Sequence, residues 1–344
     1  MSSLRPVSGT AEEILALLRE WDAATDPDPL VIATSGSTGQ PKRVVLSRDA
    51  VRASALATHE RLGGPGRWVL NLPATYVAGL QVLYRCVVAG VEPVLYADSW
   101  RVTLEPVSGR SYVSLVPTQL ARLLHDESLA GEVASLAGCS AVLIGGGPLD
   151  PHVRAQAEAR GLRVVQTYGM SETCGGCVYD GRPLAGAEVR IDEGHVLVRG
   201  PMLFDGYQGE PERTAAALRE GWLVTNDLGH WDEQGRLRID GRVDDVIISG
   251  GVKVPAGAVA AAVARLTAVV GVEVVGAADE EWGERVVAVV TARDPLSLAA
   301  VREAVEPRAW APRQLVVVPE LPRLPNGKPD RLAMRRLAEQ EWSG

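Results

Sequence analysis

Phenylalanine is almost missing from this sequence, and so are excess basic charge and long apolar runs. One Phe, seven Tyr and eight Trp stand among 344 residues, so the core is expected to be aliphatic. Lys and Arg are outnumbered by Asp and Glu, and the formal net charge is −8. That balance excludes nucleic acid as the main partner, although local positive charge can still hold a small anion. No apolar run reaches the ~18 residues of a membrane span, which excludes helical insertion. The start of the chain leads into an amphipathic stretch over 11–21 without the apolar core of a secretory leader. A cytoplasmic protein is expected, and a homo-oligomer is compatible with the sequence. Four cysteines in a chain of this length make no disulfide framework. Cys174 and Cys177 have the spacing of a zinc knuckle or a redox pair. A zinc site needs about four ligands, yet no second pair follows and His195 stands alone downstream. A glycine-bearing turn with two reduced thiols is the plainer reading. Internal repeats and low-complexity tracts are missing as well.

What remains is ordinary for a globular protein: 46% apolar and 23% charged residues, in a chain long enough for two domains. Strand patterns over 68–72, 91–96, 112–116, 141–144 and 162–166 alternate with helix patterns over 78–89, 118–125 and 151–160. Asp150 caps the last of these, with Pro151 at its first position. Such alternation predicts a mostly parallel α/β sheet. Short strands over 188–191, 195–199, 222–224 and 236–240 then suggest antiparallel structure. The last hundred residues read as a compact α+β unit, with helices near 256–266 and 297–304 and strands over 272–276, 285–291 and 314–318. The expected division is a large N-terminal α/β domain, 1–243, with mostly parallel sheet plus antiparallel strands, and a small mobile C-terminal α+β domain, 244–344.

Three strand exits are chemically loaded. The first is Thr34-Ser35-Gly36-Ser37-Thr38-Gly39-Gln40-Pro41-Lys42, after an apolar run. Glycines let the backbone approach an anion, and the hydroxyls and lysine add donors and charge. The spacing is not that of the common P-loop. Composition alone leaves a phosphate cradle and a Ser/Gly-rich surface loop both open. The second exit is Gly145, Gly146 and Gly147, and the third is 167–172, ending in Ser171 and Glu172. Ligands in open α/β sheets bind beyond the carboxyl ends of strands. One carboxylate beside phosphates suits Mg²⁺, but Glu172 taken alone reads more simply as a capping acid at a helix start. Asp227 can accept from ribose hydroxyls or be an ordinary turn residue. Arg242, Asp244 and Asp245 form a charged cluster at the boundary, and Lys328 lies in a loop of prolines and glycine where a lysine is ordinarily solvated.

Taken in order, the loop 34–42, Gly145–Leu149, 167–173, 221–229, 241–251 and 325–328 resemble the adenylate-forming superfamily of acyl-CoA ligases, luciferases and adenylation domains. So do Val198–Pro201, Gly206-Tyr207, Thr214 and the segment Asp279–Glu284. The similarity covers residues 30–332. Within it, 72–85 and 168–181 are most similar to the o-succinylbenzoate–CoA ligases of menaquinone synthesis. The resemblance implies two half-reactions with ATP, Mg²⁺, an acid and coenzyme A. It implies that Thr34, Ser35, Gly36, Ser37, Thr38, Gly39 and Lys42 hold the phosphates, and that Gly145, Gly146, Gly147 and Tyr168 flank adenine. Ser171 contacts phosphate, Glu172 takes Mg²⁺, Asp227 and Arg242 serve the ribose, Asp244 is the hinge and Lys328 is catalytic. Tyr76, Arg85, Gly169 and Met170 fall to the acyl substrate. Arg85 is placed there because a lone arginine in an apolar helix needs an anionic partner; a stem reaching solvent is the alternative. The resemblance also makes Cys174–Cys177 part of a substrate-side loop.

Departures are visible. Tyr76 stands where the family usually has His, and Asn226 where it has Gly. Ala256, Gly257, Ala258 and Ala260 replace Pro and Glu at a helix start, and the N-terminal subdomain ahead of the phosphate loop is nearly absent. Another acyl-CoA ligase, a free-standing amino-acid adenylation enzyme, or a nucleotide-binding relic are the readings left beside the first.

Overall fold

The computed structural model describes residues 4–34, 42–96, 109–324 and 329–340, the side chain of Asp244 excepted. The chain divides into two compact units. The first comprises Met1–Arg190, Leu197–Thr225 and Asp232–Leu237, and the second Ile191–Val196, Asn226–Trp231 and Arg238–Gly344. The chain passes from one to the other within the strands Glu188–Asp192, His195–Arg199, Trp222–Trp231 and Leu237–Arg242, so the second unit gathers short pieces before residue 244.

In the first unit, a seven-stranded sheet carries the parallel core Val164–Met170, Ala141–Ile144, Ser111–Leu115, Arg67–Leu70 and Val94–Leu95, in that spatial order. Gly175–Tyr179 and Arg182–Pro183 extend it antiparallel at one edge. Ala141–Ile144 is buried along its whole length, as a strand flanked by two others and covered on both faces must be. Leu120, Leu123, Leu136 and Ala157 line one apolar cluster beside it. Leu80, Leu83, Trp68 and Tyr112 belong to the other. Asp150 caps the helix Pro151–Ala159 by accepting from the His152 amide at 2.7 Å, as the sequence predicts.

A separate four-stranded sheet has the order Arg5–Pro6, Leu30–Thr34, Lys42–Leu46, Gly206–Tyr207. The sequence predicts a short strand over 44–46, which is part of Lys42–Leu46, but neither the rest of this sheet nor the helix Arg48–Arg61. That helix buries Ser54, Thr58 and His59 beside Ala50, Val51 and Ala55, so its inner face is too polar to show apolar periodicity.

In the second unit, an antiparallel sheet runs Val252–Pro255, Val246–Ser249, Gly283–Ala292, Val269–Asp279, and Gln314–Val317 joins Gly283–Ala292 in parallel. The long pair Val269–Asp279 and Gly283–Ala292 is valine-rich and buried on both faces. Ala256–Val263 and Leu298–Glu303 contribute Val259, Val263 and Val301 to one cluster, and Arg331–Gln340 contributes Met334 and Ala338 to the other. The α/β class with a smaller C-terminal α+β unit is thus the observed architecture.

Candidate active site

Thr34 and Lys42 are the last paired residues of the antiparallel hairpin Leu30–Thr34/Lys42–Leu46. Ser35, Gly36, Ser37, Thr38 and Gly39, assigned to the phosphates, lie outside the described residues. Lys42 Nζ stands 5.6 Å from the centre of the Tyr207 ring. Tyr207 comes alongside because its short strand pairs with the hairpin, Tyr207 opposite Val44. The Tyr207 hydroxyl donates to Glu172 Oε1 at 2.7 Å. Burial, and then the adjoining Glu172 carboxylate, push the Tyr207 hydroxyl far above the usual phenol range, so it stays protonated and a donor. The Arg213 guanidinium lies 5.1 Å from the same ring. One tyrosine therefore gathers two cations and the expected metal carboxylate.

Glu172 sits in the single 3₁₀ turn Ser171–Thr173, at the end of Val164–Met170. The turn is tight. Met170 N donates to Thr173 Oγ1 at 2.9 Å, and that hydroxyl donates in turn to the Gly175 carbonyl at 2.6 Å. A Cβ at Gly169 would stand 2.0 Å from the Gly175 carbonyl oxygen, so no side chain fits where the two strands close. The third exit adjoins the second: Thr167 Oγ1 donates to the Ile144 carbonyl at 3.2 Å and would meet a Cβ at Gly145 at 2.4 Å. Gly146 takes φ 82. Gly145–Gly147 thus leave the strand Ala141–Ile144 beside the neighbouring parallel strand that carries Tyr168, and Lys42, Tyr207 and Glu172 tie in the end of the hairpin.

Tyr76 is the N-cap of the helix Val77–Ala89, half-buried, in extended backbone. Arg85 lies in the interior, 3% exposed. Its guanidinium stacks on the Trp68 ring at 4.6 Å, and Nη2 donates to the Tyr179 hydroxyl at 3.5 Å. Among the described residues no carboxylate pairs with it, and its Nε has no partner. Burial depresses its proton affinity. Burial, and then Arg85, hold nearby His59 down at about 4. The alternative of a solvent-reaching stem is not what the structure shows.

In the second unit, Arg242 donates through Nη1 to Asp227 Oδ1 at 3.0 Å; the Asp227 side chain is only 8% exposed. A cleft of about 270 Å³ lies beside the pair, lined by Leu228, Gly229, Gly241, Arg242 and Gly257. Asp244 opens no regular element beyond the 3₁₀ turn Val243–Asp245, and Asp245 pairs with Arg331. Lys328 lies outside the described residues.

Cys174 and Cys177 are buried and form no disulfide. Burial, and then the charge of Asp205, push the Cys174 thiol well up, which leaves it inert. No group of three His, Cys, Asp or Glu able to hold a metal occurs among the described residues. Glu172 offers one carboxylate with a neutral hydrogen-bond partner. That donor set suits Mg²⁺ carried mainly by phosphate oxygens and waters. Tyr207, Tyr179 and Gln81 are contacts that reading residues singly missed. All three stand in segments that carry the family resemblance, Gly206-Tyr207, 168–181 and 72–85, but none was singled out within them.

The AMP-binding enzyme family model matches residues 9–208, and that of the AMP-binding enzyme C-terminal domain matches residues 258–328. The probable 2-succinylbenzoate–CoA ligase of Mycobacterium tuberculosis is 43% identical over 342 residues, 94% of this chain and 88% of the relative. The 2-succinylbenzoate–CoA ligase of Listeria monocytogenes is 32% identical over 352 residues, 96% of this chain and 74% of the relative. Among solved structures, the o-succinylbenzoate CoA synthetase of Bacillus subtilis in complex with its acyl-adenylate intermediate has a TM-score of 0.75 at 27% identity, covering 89% of this chain and 68% of that one. An amide bond synthetase of Marinactinospora thermotolerans has a TM-score of 0.78 at 29% identity, covering 89% and 69%.

Proposed function

This chain belongs to the AMP-binding enzyme family, and from that premise we propose that it activates o-succinylbenzoate with ATP as an acyl-AMP and then passes the acyl group to coenzyme A. The observation that carries this reading is 43% identity to a ligase of that name across 94% of the chain. The Lys42–Tyr207–Glu172 cluster supplies the charge such chemistry needs.

In the first half-reaction a carboxylate oxygen attacks the α-phosphorus, the bond to the bridging oxygen breaks, and pyrophosphate leaves. Two anions meet, so catalysis rests on positive charge and alignment. Thr34–Thr38, Gly39 and Lys42 hold the β- and γ-phosphates, and Lys328 bridges the carboxylate and the α-phosphate. Glu172 would hold Mg²⁺ beside the phosphates, where the ion would supply charge neutralisation. Ser171 donates to phosphate, Gly145–Gly147 and Tyr168 flank adenine, and Asp227 takes the ribose hydroxyls with Arg242 steadying it. In the second half-reaction the thiol sulfur attacks the acyl carbon, the carbon–oxygen bond to AMP breaks, AMP leaves with the electron pair, and the thiol proton goes to solvent. Asp244 serves as the hinge between the two steps. Tyr76, Gly169 and Met170 border the acyl group. Arg85, a buried cation without an acid, answers the second carboxylate of o-succinylbenzoate.

Pyrophosphate release with a panel of carboxylic acids, with and without coenzyme A, tests the reading. Release confined to o-succinylbenzoate, with thioester formed only when coenzyme A is present, is expected. Release with amino acids, or nucleotide binding without turnover, would sink it. An acyl-AMP that reacts with amines and ignores coenzyme A would move the second step towards amide synthesis. Lys328→Ala is expected to lower acyl-AMP formation by ~10²–10³, the scale for one lost transition-state donor, while thioester formation from pre-made acyl-AMP survives. Equal loss in both steps counts against its role.

A further inference from the structure

Gln81 lies in the helix Val77–Ala89, 1% exposed, directly behind the turn that bears Ser171 and Glu172. Its Nε2 donates to the Cys174 carbonyl at 2.8 Å and to the Val51 carbonyl at 3.1 Å. Ser54 Oγ donates to the same Cys174 carbonyl at 3.0 Å. Two carbonyls facing one end of the amide settle which end is nitrogen. The other end, Oε1, is buried with no partner. An orphaned buried acceptor is a cost that an apolar residue of similar size would avoid. Stability alone therefore does not explain the glutamine, whereas its grip on the carbonyl does.

That carbonyl belongs to an unusual residue. Cys174 takes φ 50, left-handed backbone that a side chain disfavours, and Gly175 follows at φ 105. The Cys174 amide donates to the Ser171 carbonyl at 3.0 Å, so the strained residue closes the turn that contains Glu172. On the opposite side of the turn, the Glu172 carbonyl accepts from Phe204 N at 3.0 Å and its carboxylate from Tyr207. Front and back are thus held by different elements.

We propose that Gln81, seconded by Ser54, is a positioning residue: by holding the Cys174 carbonyl it locks the left-handed closure of the turn and so fixes Ser171 and Glu172 for the ATP phosphates. This deepens the adenylation reading and rests on it.

The test pairs Gln81→Leu with Gln81→Leu/Cys174→Gly, because glycine adopts the left-handed conformation without help. Gln81→Leu is expected to lower acyl-AMP formation by ~10–10², the scale of a misplacement of about 1 Å, and to raise the Mg²⁺ concentration for half-maximal rate. The second change is expected to restore most of both. Amide hydrogen exchange over residues 171–176, measured without substrate, is expected to quicken in Gln81→Leu. Ser54→Ala, which removes one donor and endangers the fold least, is expected to shift exchange and Mg²⁺ dependence the same way by about two- to threefold. Unchanged exchange in Ser54→Ala or in a folded Gln81→Leu overturns the proposal, as does a folded Gln81→Leu whose loss Cys174→Gly leaves untouched. Absence of any pyrophosphate release by the unaltered protein would fell the adenylation reading instead, and leaves the exchange measurement able to decide the clamp.

Discussion

The two units treat their site charges differently. In the first, Glu172 and Arg85 are each held by a tyrosine hydroxyl, Tyr207 and Tyr179, and neither has an opposite charge paired with it among the described residues. In the second, Asp227 pairs with Arg242 and Asp245 with Arg331. A phenol orients a charged group without cancelling it; an ion pair orients and cancels together. The first unit therefore presents a carboxylate and a guanidinium whose charges are left uncancelled among the described residues. The second presents a carboxylate whose charge is already answered by an arginine. Glu172, in the turn that leaves a strand, and Asp227, inside the strand Trp222–Trp231, thus differ in whether a positive partner cancels the carboxylate.

The sharpest way to break this contrast is Glu172→Gln. The amide keeps the shape and can still accept from Tyr207, but the charge is gone. Acyl-AMP formation is expected to fall by ~10²–10³, with a raised Mg²⁺ requirement. If the rate is kept, the uncompensated charge has no catalytic use and Glu172 is a capping acid after all.

Arg85→Met keeps the length of the stem and removes the cation. The KM for o-succinylbenzoate is expected to rise ~10–10²-fold, the scale of a charged hydrogen bond, while the KM for ATP and for an aromatic monocarboxylate stays put. Equal change with both acids would make Arg85 a support for Trp68 and Tyr179 alone.

On the paired side, Asp227→Asn is expected to raise the KM for ATP about tenfold, within the range of one charged hydrogen bond. Arg242→Gln should do less. The double variant should resemble Asp227→Asn, because the arginine acts through the carboxylate. Strict additivity would mean that Arg242 touches the nucleotide by itself.

The contrast was only half legible in the sequence. Glu172, Asp227, Lys42 and Arg242 could be singled out because each stands in a segment whose order along the chain carried the family resemblance. Their partners could not. Tyr207 reaches Glu172 only because Gly206–Tyr207 pairs with the hairpin Lys42–Leu46, a contact between residues 35 apart that no local pattern encodes. Tyr179 meets Arg85 across 94 residues. The parallel core was legible because Ala141–Ile144 and Val164–Met170 alternate with helices whose apolar faces repeat. The helix Arg48–Arg61 was not, since it turns Ser54, Thr58 and His59 inward. Those same polar residues meet Cys174, Tyr179 and Arg85, so the pattern failed where the interior is polar rather than apolar.

His59 gives the smallest and most direct probe of the uncompensated cation. Burial, and then Arg85, depress its proton affinity from an ordinary 6.5 to about 4. The unfolded chain therefore takes up this proton as pH falls through 6.5, while the folded protein refuses it until about 4. The stability from this group is complete above 6.5, is lost progressively between 6.5 and 4, and changes no further below. The thermal unfolding midpoint should fall across that window and should fall less steeply in His59→Gln. Adding Arg85→Met to the unaltered histidine removes the repelling charge but not the burial, so it should narrow the window from its acid end without closing it. If Arg85→Met leaves the pH dependence as it was, the guanidinium is not felt by its neighbours as a charge, and the distinction between the two units fails at its buried cation.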